Sequence, residues 1–294
     1  MGILAFDIGG SAVKYGFWEK DRLVRQQAFS LPKDWKAMTT ELNAVFEQIS
    51  QEHEITGVAL SAPGLVNETI GQIQGISAVP YIHHFPIQQE LSELFGVPVT
   101  MENDANCAAL AEVWLGAAKD AEHCLFFVIG TGVGGSVILN RKLFKGQNLF
   151  GGEFGYMFLN DSASLSDLGS SVKAVKKYNQ LTKEDIHGQE LFERAEAGDP
   201  LADELAEKFY RAVALGIYNL LVCFDPGLIV LGGGVSANKV VLKQIKKHLN
   251  RILLERSVTA MTYRLEACVF GNDANLIGAV YHHMETVGKH EIYC

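Results

Sequence analysis

The sequence contains no C-x-x-C pair. Its five cysteines, Cys107, Cys124, Cys223, Cys268 and Cys294, are scattered and odd in number. A disulfide framework and a thiolate zinc site are therefore not expected. Four of the five read as small core residues, and a reducing cytoplasm fits. A basic block is also missing. Lys and Arg total 25 against 34 Asp and Glu, a net charge of −9. Neutralising phosphates takes clustered cations, so nucleic acid and anionic membrane surfaces are poor partners. The longest candidate for a membrane span, Gly216 to Val235, is interrupted by Asp225-Pro226. A buried helix followed by a buried strand is expected there instead. MGILAFDIGG has neither a basic segment nor a cleavage pattern, so no secretory signal is expected. Phe6 stands where a myristoylation signal has Ser or Thr.

What is present is ordinary for a soluble globular enzyme: 48% hydrophobic residues, 20% charged and 29 Gly in 294 residues. At roughly 150 residues per domain, that length suggests two domains. Apolar runs at Ile3–Phe6, Val13–Trp18, Gly57–Leu60, Val97–Met101, Leu125–Ile129 and Leu228–Leu231 predict strands. Helical spacing marks 35–52, a short helix opened by Pro86 and ended by Gly96, 105–115, 201–223 and 237–255. Strands alternating with helices argue for an α/β fold.

The chain also repeats itself. GVALSAPG at 57–64 matches GLIVLGGG at 227–234, and NDAN at 103–106 recurs at 272–275. The two offsets, 170 and 169 residues, nearly agree. A looser match pairs 5–18 with 126–139. Each half is thus expected to hold a glycine-turned hairpin, a strand with a glycine loop, and a strand-NDAN-helix unit. An insertion falls at about 145–200. The expected domains are 1–117, joined by a last helix at 273–290, and 118–272.

Two glycine turns follow buried strands. In Asp7-Ile8-Gly9-Gly10-Ser11, bare backbone N–H groups suit a phosphate, Asp7 suits a metal-bound water, and Lys14 suits a phosphate oxygen. A plain β-turn with an Asp cap explains the same residues. Gly130-Thr131-Gly132-Val133-Gly134-Gly135 is followed by a strand pattern and not a helix, which weighs against a dinucleotide site. The pair suggests two domains clasping one triphosphate. Gly232-Gly233-Gly234 suits the flat part of a nucleotide or a simple strand-to-helix turn. Asn103-Asp104, between a strand and a helix, reads either as an N-cap or as a carboxylate at a strand's C-terminal end, able to take a proton from a hydroxyl. Asp273 has the same local context, and residue chemistry alone does not choose between them. Glu153, among glycines, reads as a polyol binder or a solvated carboxylate. His83-His84 and His282-His283 lack acidic partners at a metal-ligand spacing and read as structural or surface residues.

Taken in order, Asp7 to Ser11, Pro63-Gly64, Glu102-Asn103-Asp104-Ala105-Asn106, Gly130 to Gly135, Gly152-Glu153-Phe154-Gly155 and Asp225-Pro226 through Gly234 resemble ROK-family sugar kinases over nearly the whole chain. The resemblance implies the actin-like ATPase (ribonuclease H-like) fold, with two similar domains around a central cleft. It implies ATP and Mg2+ as cofactors and phosphorylation of a sugar C6 hydroxyl. Asp104 is then the general base and Asp273 its structural echo. Pro63, Gly64, Asn103, Asp104, Glu153 and Tyr156 fall at the sugar. Asp7, Gly9, Gly10, Ser11, Lys14, Gly130, Thr131 and Gly132 fall at the phosphates, and Gly232, Gly233 and Gly234 on the adenosine side. Asp7 is the residue to hold Mg2+ through water. A homodimer is implied.

Two departures stand out. Many family members have E-x-G-H where this chain has Tyr156, and they carry a zinc-binding cysteine cluster where it has Asn160 to Ser166. No zinc site is expected. In the family that His, and a Glu soon after the cysteine cluster, reach the sugar's C1 and C2 side, and losing both leaves room for a C1 substituent. With SAVPYIHHF at 77–85, this points to the zinc-free branch that resembles β-glucoside kinases, acting on substrates such as cellobiose. N-acetylmannosamine kinase and glucokinase are the alternatives. The family's repressors add a helix-turn-helix ahead of this pattern, and none is expected here. A non-catalytic sugar-binding protein would have no use for a base at Asp104.

Overall fold

The computed structural model describes the backbone of residues 2–292 and the side chains of residues 2–288. Cys294 lies outside the described residues. Contacts divide the chain into two units. One runs to Leu115 and resumes at Asn272; the other is Gly116–Gly271.

The first unit starts with β1 (Gly2–Ile8), β2 (Ala12–Glu19) and β3 (Arg22–Ser30). Next come α1 (Trp35–Ser50), β4 (Ile55–Ala62) and the small hairpin β5 (Leu65–Asn67) and β6 (Gln72–Gln74). Then follow α2 (Ile87–Phe95), β7 (Val99–Asn103) and α3 (Asp104–Leu115). Its sheet runs β3-β2-β1-β4-β7. β1 pairs antiparallel with β2 and parallel with β4, and β4 pairs parallel with β7. Leu4, Phe6 and Ile8 bury against Val13, Phe17, Met38, Leu42 and Leu60. α1 begins where Asp34 accepts the Ala37 N–H at 2.8 Å, and it turns Met38, Leu42, Val45 and Ile49 inward.

The second unit repeats this plan with β8 (Cys124–Ile129), β9 (Val133–Leu139) and β10 (Lys142–Leu143). After α4 (Leu165–Leu168), α5 (Ser171–Thr182) and α6 (Glu190–Glu196) come α7 (Pro200–Phe224), β11 (Leu228–Gly233), α8 (Lys239–Glu255) and β12 (Arg264–Ala267). Its sheet order, β10-β9-β8-β11-β12, matches the first strand for strand. Between the third strand and the next large helix, the first unit has only a short loop. Here α4, α5 and α6 intervene, around a small core of Val175, Tyr178, Ile186 and Leu191. α7 starts with Asp199 as cap and Pro200 at its first position, and it ends at Asp225 in a left-handed conformation. The Gly216–Val235 run is thus a helix end, a turn and a buried strand. No helix of the described residues is long and apolar enough to cross a membrane.

α9 (Ala274–Ile292) returns to the first unit and packs on α3. The crossing is tight at Gly278, where a Cβ would overlap the Cys107 backbone. Of the cysteines, Cys107 and Cys124 are buried, whereas Cys223 is exposed and Cys268 half-buried. This corrects the expectation of four core thiols. Cys223 sits two positions beyond the inward-facing Leu221, past the exposed Val222, so the helix turns it to the outside. The strands β3 and β12 and the three inserted helices are not among the elements the sequence predicts. β3 is mostly exposed along its length, which removes the alternation that marks a half-buried strand.

Candidate active site

In the first unit, the sheet's central strands bring several polar side chains together. Asp7 is the penultimate residue of β1 and is buried. Its Oδ1 accepts Ser61 Oγ–H at 2.8 Å from β4 and the Asn275 Nδ2–H at 3.0 Å from α9. Lys14 is its cross-strand partner on β2; Lys14 Nζ reaches the Asn272 carbonyl at 3.5 Å. Gly9, Gly10 and Ser11 form the turn between β1 and β2, closed by Gly9 N–H to Ala12 O at 2.9 Å. Gly10 and Ser11 are exposed.

Asn103 ends β7 and Asp104 opens α3. Asn103 Oδ1 accepts the N–H groups of Ala105 and Asn106 at 2.9 and 3.2 Å, so it does cap the helix. Its Nδ2 donates to the Gly64 carbonyl at 3.0 Å. That bond fastens the Pro63-Gly64 turn to the head of α3. Asp104 Oδ1 accepts the Ala105 N–H at 2.8 Å. Burial pushes the Asp104 carboxyl up to about 6, and the Asp7 charge adds to this; the Ala105 N–H and the Asn103 side chain pull the other way. Asp273 sits differently. It closes a 3-10 turn, Gly271–Asp273, and α9 starts after it.

Sequence reasoning missed three members of this cluster. Ser61 is fully buried and holds Asp7. Glu102 is fully buried, and its Oε1 accepts the Asn103 N–H at 2.8 Å and the Asn106 Nδ2–H at 3.0 Å. Asn275 belongs to the second NDAN, so the repeat itself was a signal. An acidic residue directly after the strand run Val97–Met101 was the signal for Glu102. The thiol of Cys107, pushed well up by burial and by Glu102, is inert here.

The histidine pairs resolve into packing roles, with one correction. His283 is buried, bonded to Thr100 Oγ1 at 3.0 Å and pressed on Gly57. His83 Nε2 meets Ser77 Oγ at 2.7 Å. His282 does have an acidic partner: its Nε2 lies 2.6 Å from Glu68 Oε1. Glu68, Glu102 and His282 bring ligand atoms within 4.8 Å of one another. The His282–Glu68 hydrogen bond accounts for the approach of those two, while Glu102 Oε1 is engaged by Asn103 and Asn106.

In the second unit, Gly130, Thr131 and Gly132 form the turn between β8 and β9, with Gly130 N–H bonded to Gly132 O at 2.9 Å. A strand follows the turn, as the residue pattern predicts. Glu153 is half-buried at the start of a 3-10 turn, Phe154–Tyr156. Gly152 before it has φ +105°, and a Cβ there would press into the Gly135–Ser136 backbone, so only glycine fits. Tyr156 is 72% exposed, with its ring 6.1 Å from that of Phe150. The Asn160–Ser166 loop is shaped by hydrogen bonds. Asn160 Oδ1 accepts the N–H groups of Ser162 and Ala163, and Ser164 and Asp167 form a reciprocal cap. Gly232 and Gly233 end β11 against Phe126 and Ile129 of β8, so close packing accounts for both. Gly234 borders open space, and its carbonyl accepts the Gln189 Nε2–H at 3.3 Å.

Comparison with known proteins follows the same lines. The ROK family pattern matches residues 3–285. A β-glucoside kinase of Listeria innocua serovar 6a is 34% identical over 303 residues, covering 99% of this chain and 100% of that protein. A β-glucoside kinase of Klebsiella pneumoniae is 33% identical, covering 96% of each. The crystal structure of a ROK family protein from Streptococcus pneumoniae TIGR4 in complex with sucrose superposes with a TM-score of 0.90 at 34% identity, covering 98% of this chain and 100% of that one. Each unit's five-stranded sheet with its packed helices is that of the actin-like ATPase fold. With the family pattern spanning both sheets and the returning helix, this chain belongs to the ROK family.

Proposed function

We propose that this protein is an ATP-dependent sugar kinase that phosphorylates the C6 hydroxyl of a β-glucoside such as cellobiose. The observation that carries the kinase reading is Asp104. Its carboxyl is desolvated, titrates near 6 and is aimed by the Ala105 N–H at the head of α3. At neutral pH it is mostly ionised, yet basic enough to take a proton from an alcohol as that alcohol attacks. The hydroxyl oxygen bonds to the γ-phosphorus, the bond to the bridging oxygen of ADP breaks, and the hydroxyl proton passes to the Asp104 carboxylate. Asn103 orients the sugar from a side chain already fixed between α3 and Gly64. Glu153 accepts from sugar hydroxyls.

The two glycine turns present N–H groups to the phosphates, with Lys14 beside the first; Gly234 leaves room on the adenosine side. A carboxylate held rigidly by two donors suits an oxygen-loving cation, so Asp7 is the residue to hold Mg2+ through water. Held there with a bound nucleotide, Mg2+ would supply positive charge to offset that of the phosphates.

The β-glucoside reading rests on Tyr156. Its exposed ring replaces a residue that elsewhere in the family meets the sugar, and an aromatic face accommodates a second ring at C1. The relatives named β-glucoside kinases support it, as does a family member crystallised with a disaccharide. The test is a coupled ADP-release assay with cellobiose, gentiobiose, an aryl β-glucoside, glucose and N-acetylmannosamine. Highest kcat/KM on the β-glucosides supports the whole reading. Preference for a free monosaccharide keeps the kinase and removes the β-glucoside assignment. No turnover of any sugar removes both. A homodimer in the cytoplasm completes the proposal, and sedimentation of the purified chain tests its oligomeric part.

A further inference from the structure

Behind the Gly130–Thr131–Gly132 turn lies a side chain from the inserted segment. Ser170 is 1% exposed and caps α5, where its Oγ accepts the Lys173 N–H at 3.1 Å. The same oxygen stands 2.7 Å from the Gly130 carbonyl oxygen and 2.9 Å from that of Thr131. Its single proton is therefore shared between two carbonyls. The Val172 N–H also points at the Gly130 carbonyl, at 3.4 Å.

Peptide geometry turns this into a statement about the other side of the loop. In a trans peptide, the C=O and the following N–H point in opposite directions. Drawing the Gly130 carbonyl toward Ser170 swings the Thr131 N–H away from it. Drawing the Thr131 carbonyl inward does the same to the Gly132 N–H. Thr131 is exposed, so that outer side is open to a ligand. A bound anion is attracted by N–H groups and repelled by carbonyl oxygens. A glycine-rich turn has enough freedom to present either, and something must choose.

We propose that Ser170 makes that choice: it is a positioning residue that pins two carbonyls inward and presents the Thr131 and Gly132 N–H groups to the terminal phosphates of a nucleoside triphosphate. This rests on the reading of the turn as a phosphate loop. It also gives the insertion a task in nucleotide binding, because α5 carries Ser170 at its head.

Three variants separate positioning from simple helix capping. Ser170→Ala loses the cap and the donor. Ser170→Asp keeps a cap acceptor and has no proton to donate at neutral pH. Ser170→Thr keeps both. The expected result is a KM for MgATP raised about tenfold or more in Ser170→Ala and Ser170→Asp, an unchanged KM for the sugar, and recovery in Ser170→Thr. Melting temperatures confirm that each variant is folded. If Ser170→Asp binds MgATP like the wild type, the hydroxyl acts only as a cap and the proposal is overturned. Amide NMR of the wild type tests the underlying reading separately, with the non-hydrolysable triphosphate AMP-PNP against AMP. Thr131 and Gly132 amides that move with the triphosphate alone support the phosphate loop. Amides that ignore both ligands overturn the loop reading, and Ser170's role with it.

Discussion

Asn275 donates its side-chain N–H to Asp7 Oδ1 at 3.0 Å, across 268 residues of sequence. Its counterpart in the other copy of the NDAN repeat, Asn106, donates to Glu102 at 3.0 Å. The two asparagines do the same work on different carboxylates. One steadies the strand beneath Asp104; the other steadies the residue proposed to hold Mg2+.

Replacing Asn275 by Leu removes one of two side-chain donors from a buried carboxylate. A hydrogen bond to a charged group is worth about 1.5–3 kcal/mol. We expect kcat/KM for MgATP to fall about 10- to 100-fold and half-saturation by Mg2+ to move to higher concentration, with the sugar KM unchanged. A Mg2+ titration of the variant checks this. Identical Mg2+ curves would show that Ser61 alone holds Asp7.

Asp104→Asn should lower kcat by about 10²–10⁴-fold while sugar binding persists, because the amide cannot accept the proton. The wild-type kcat/KM should fall as the pH drops through about 6, where the carboxylate is protonated. Stability should move the other way. The carboxyl's native value lies above its unfolded value of 3.8, so its contribution is complete below that pH and is lost as the pH rises through about 6. At pH 7.5 the Asn variant should therefore be more stable, by up to about 3 kcal/mol. Urea unfolding of both proteins at that pH is decisive; a less stable variant would contradict the desolvation argument.

His283 predicts the opposite pH response. Burial first, then the His282 charge, lowers it from 6.5 to about 4, with the Val58 backbone opposing. The unfolded chain takes up the proton more readily than the native one. Its contribution is full above pH 6.5 and is lost as the pH falls toward 4, a change of about 3 kcal/mol. His283→Gln should flatten that part of the stability profile, while losing some packing against Gly57. An unchanged slope would locate the acid sensitivity elsewhere.

Tyr156→His should shift the ratio of kcat/KM for cellobiose over glucose toward glucose by about tenfold, the scale of one lost ring contact. Wild type and variant should bind ATP alike. If both prefer free glucose, Tyr156 has no part in accepting a C1 substituent.

Much of this was legible along the chain because it depends on local chemistry. Asn103 caps a helix because its side chain reaches the next turn, one of the two readings the residue order offers. The paired repeats already relate the central strands of the two sheets to each other. The strand after the second glycine turn was readable from its run of apolar, β-branched residues, although it starts earlier, at Val133. Legibility failed where exposure or distance governs. β3 is mostly exposed and carries no alternation. Cys223 lies two residues past a buried pair, and only its helical phase reveals that it faces outward. His282 finds Glu68 only once α9 and the chain beyond β5 are brought together.

By itself, the sequence determined the α/β class, the duplication and the residues able to do chemistry, because each depends on periodicity or on residue type. Tertiary structure decided which of them matter together. Asp104 and Asp273 share one motif, yet Asp104 opens its helix with a carboxyl pushed up by burial, whereas Asp273 closes a 3-10 turn before α9 begins. Gly130 and Thr131 were visible as a turn, but the direction of their carbonyls was set by Ser170, some 40 residues further along. Burial and hydrogen-bond direction are properties of the packed chain, and no run of neighbours along the sequence contains them.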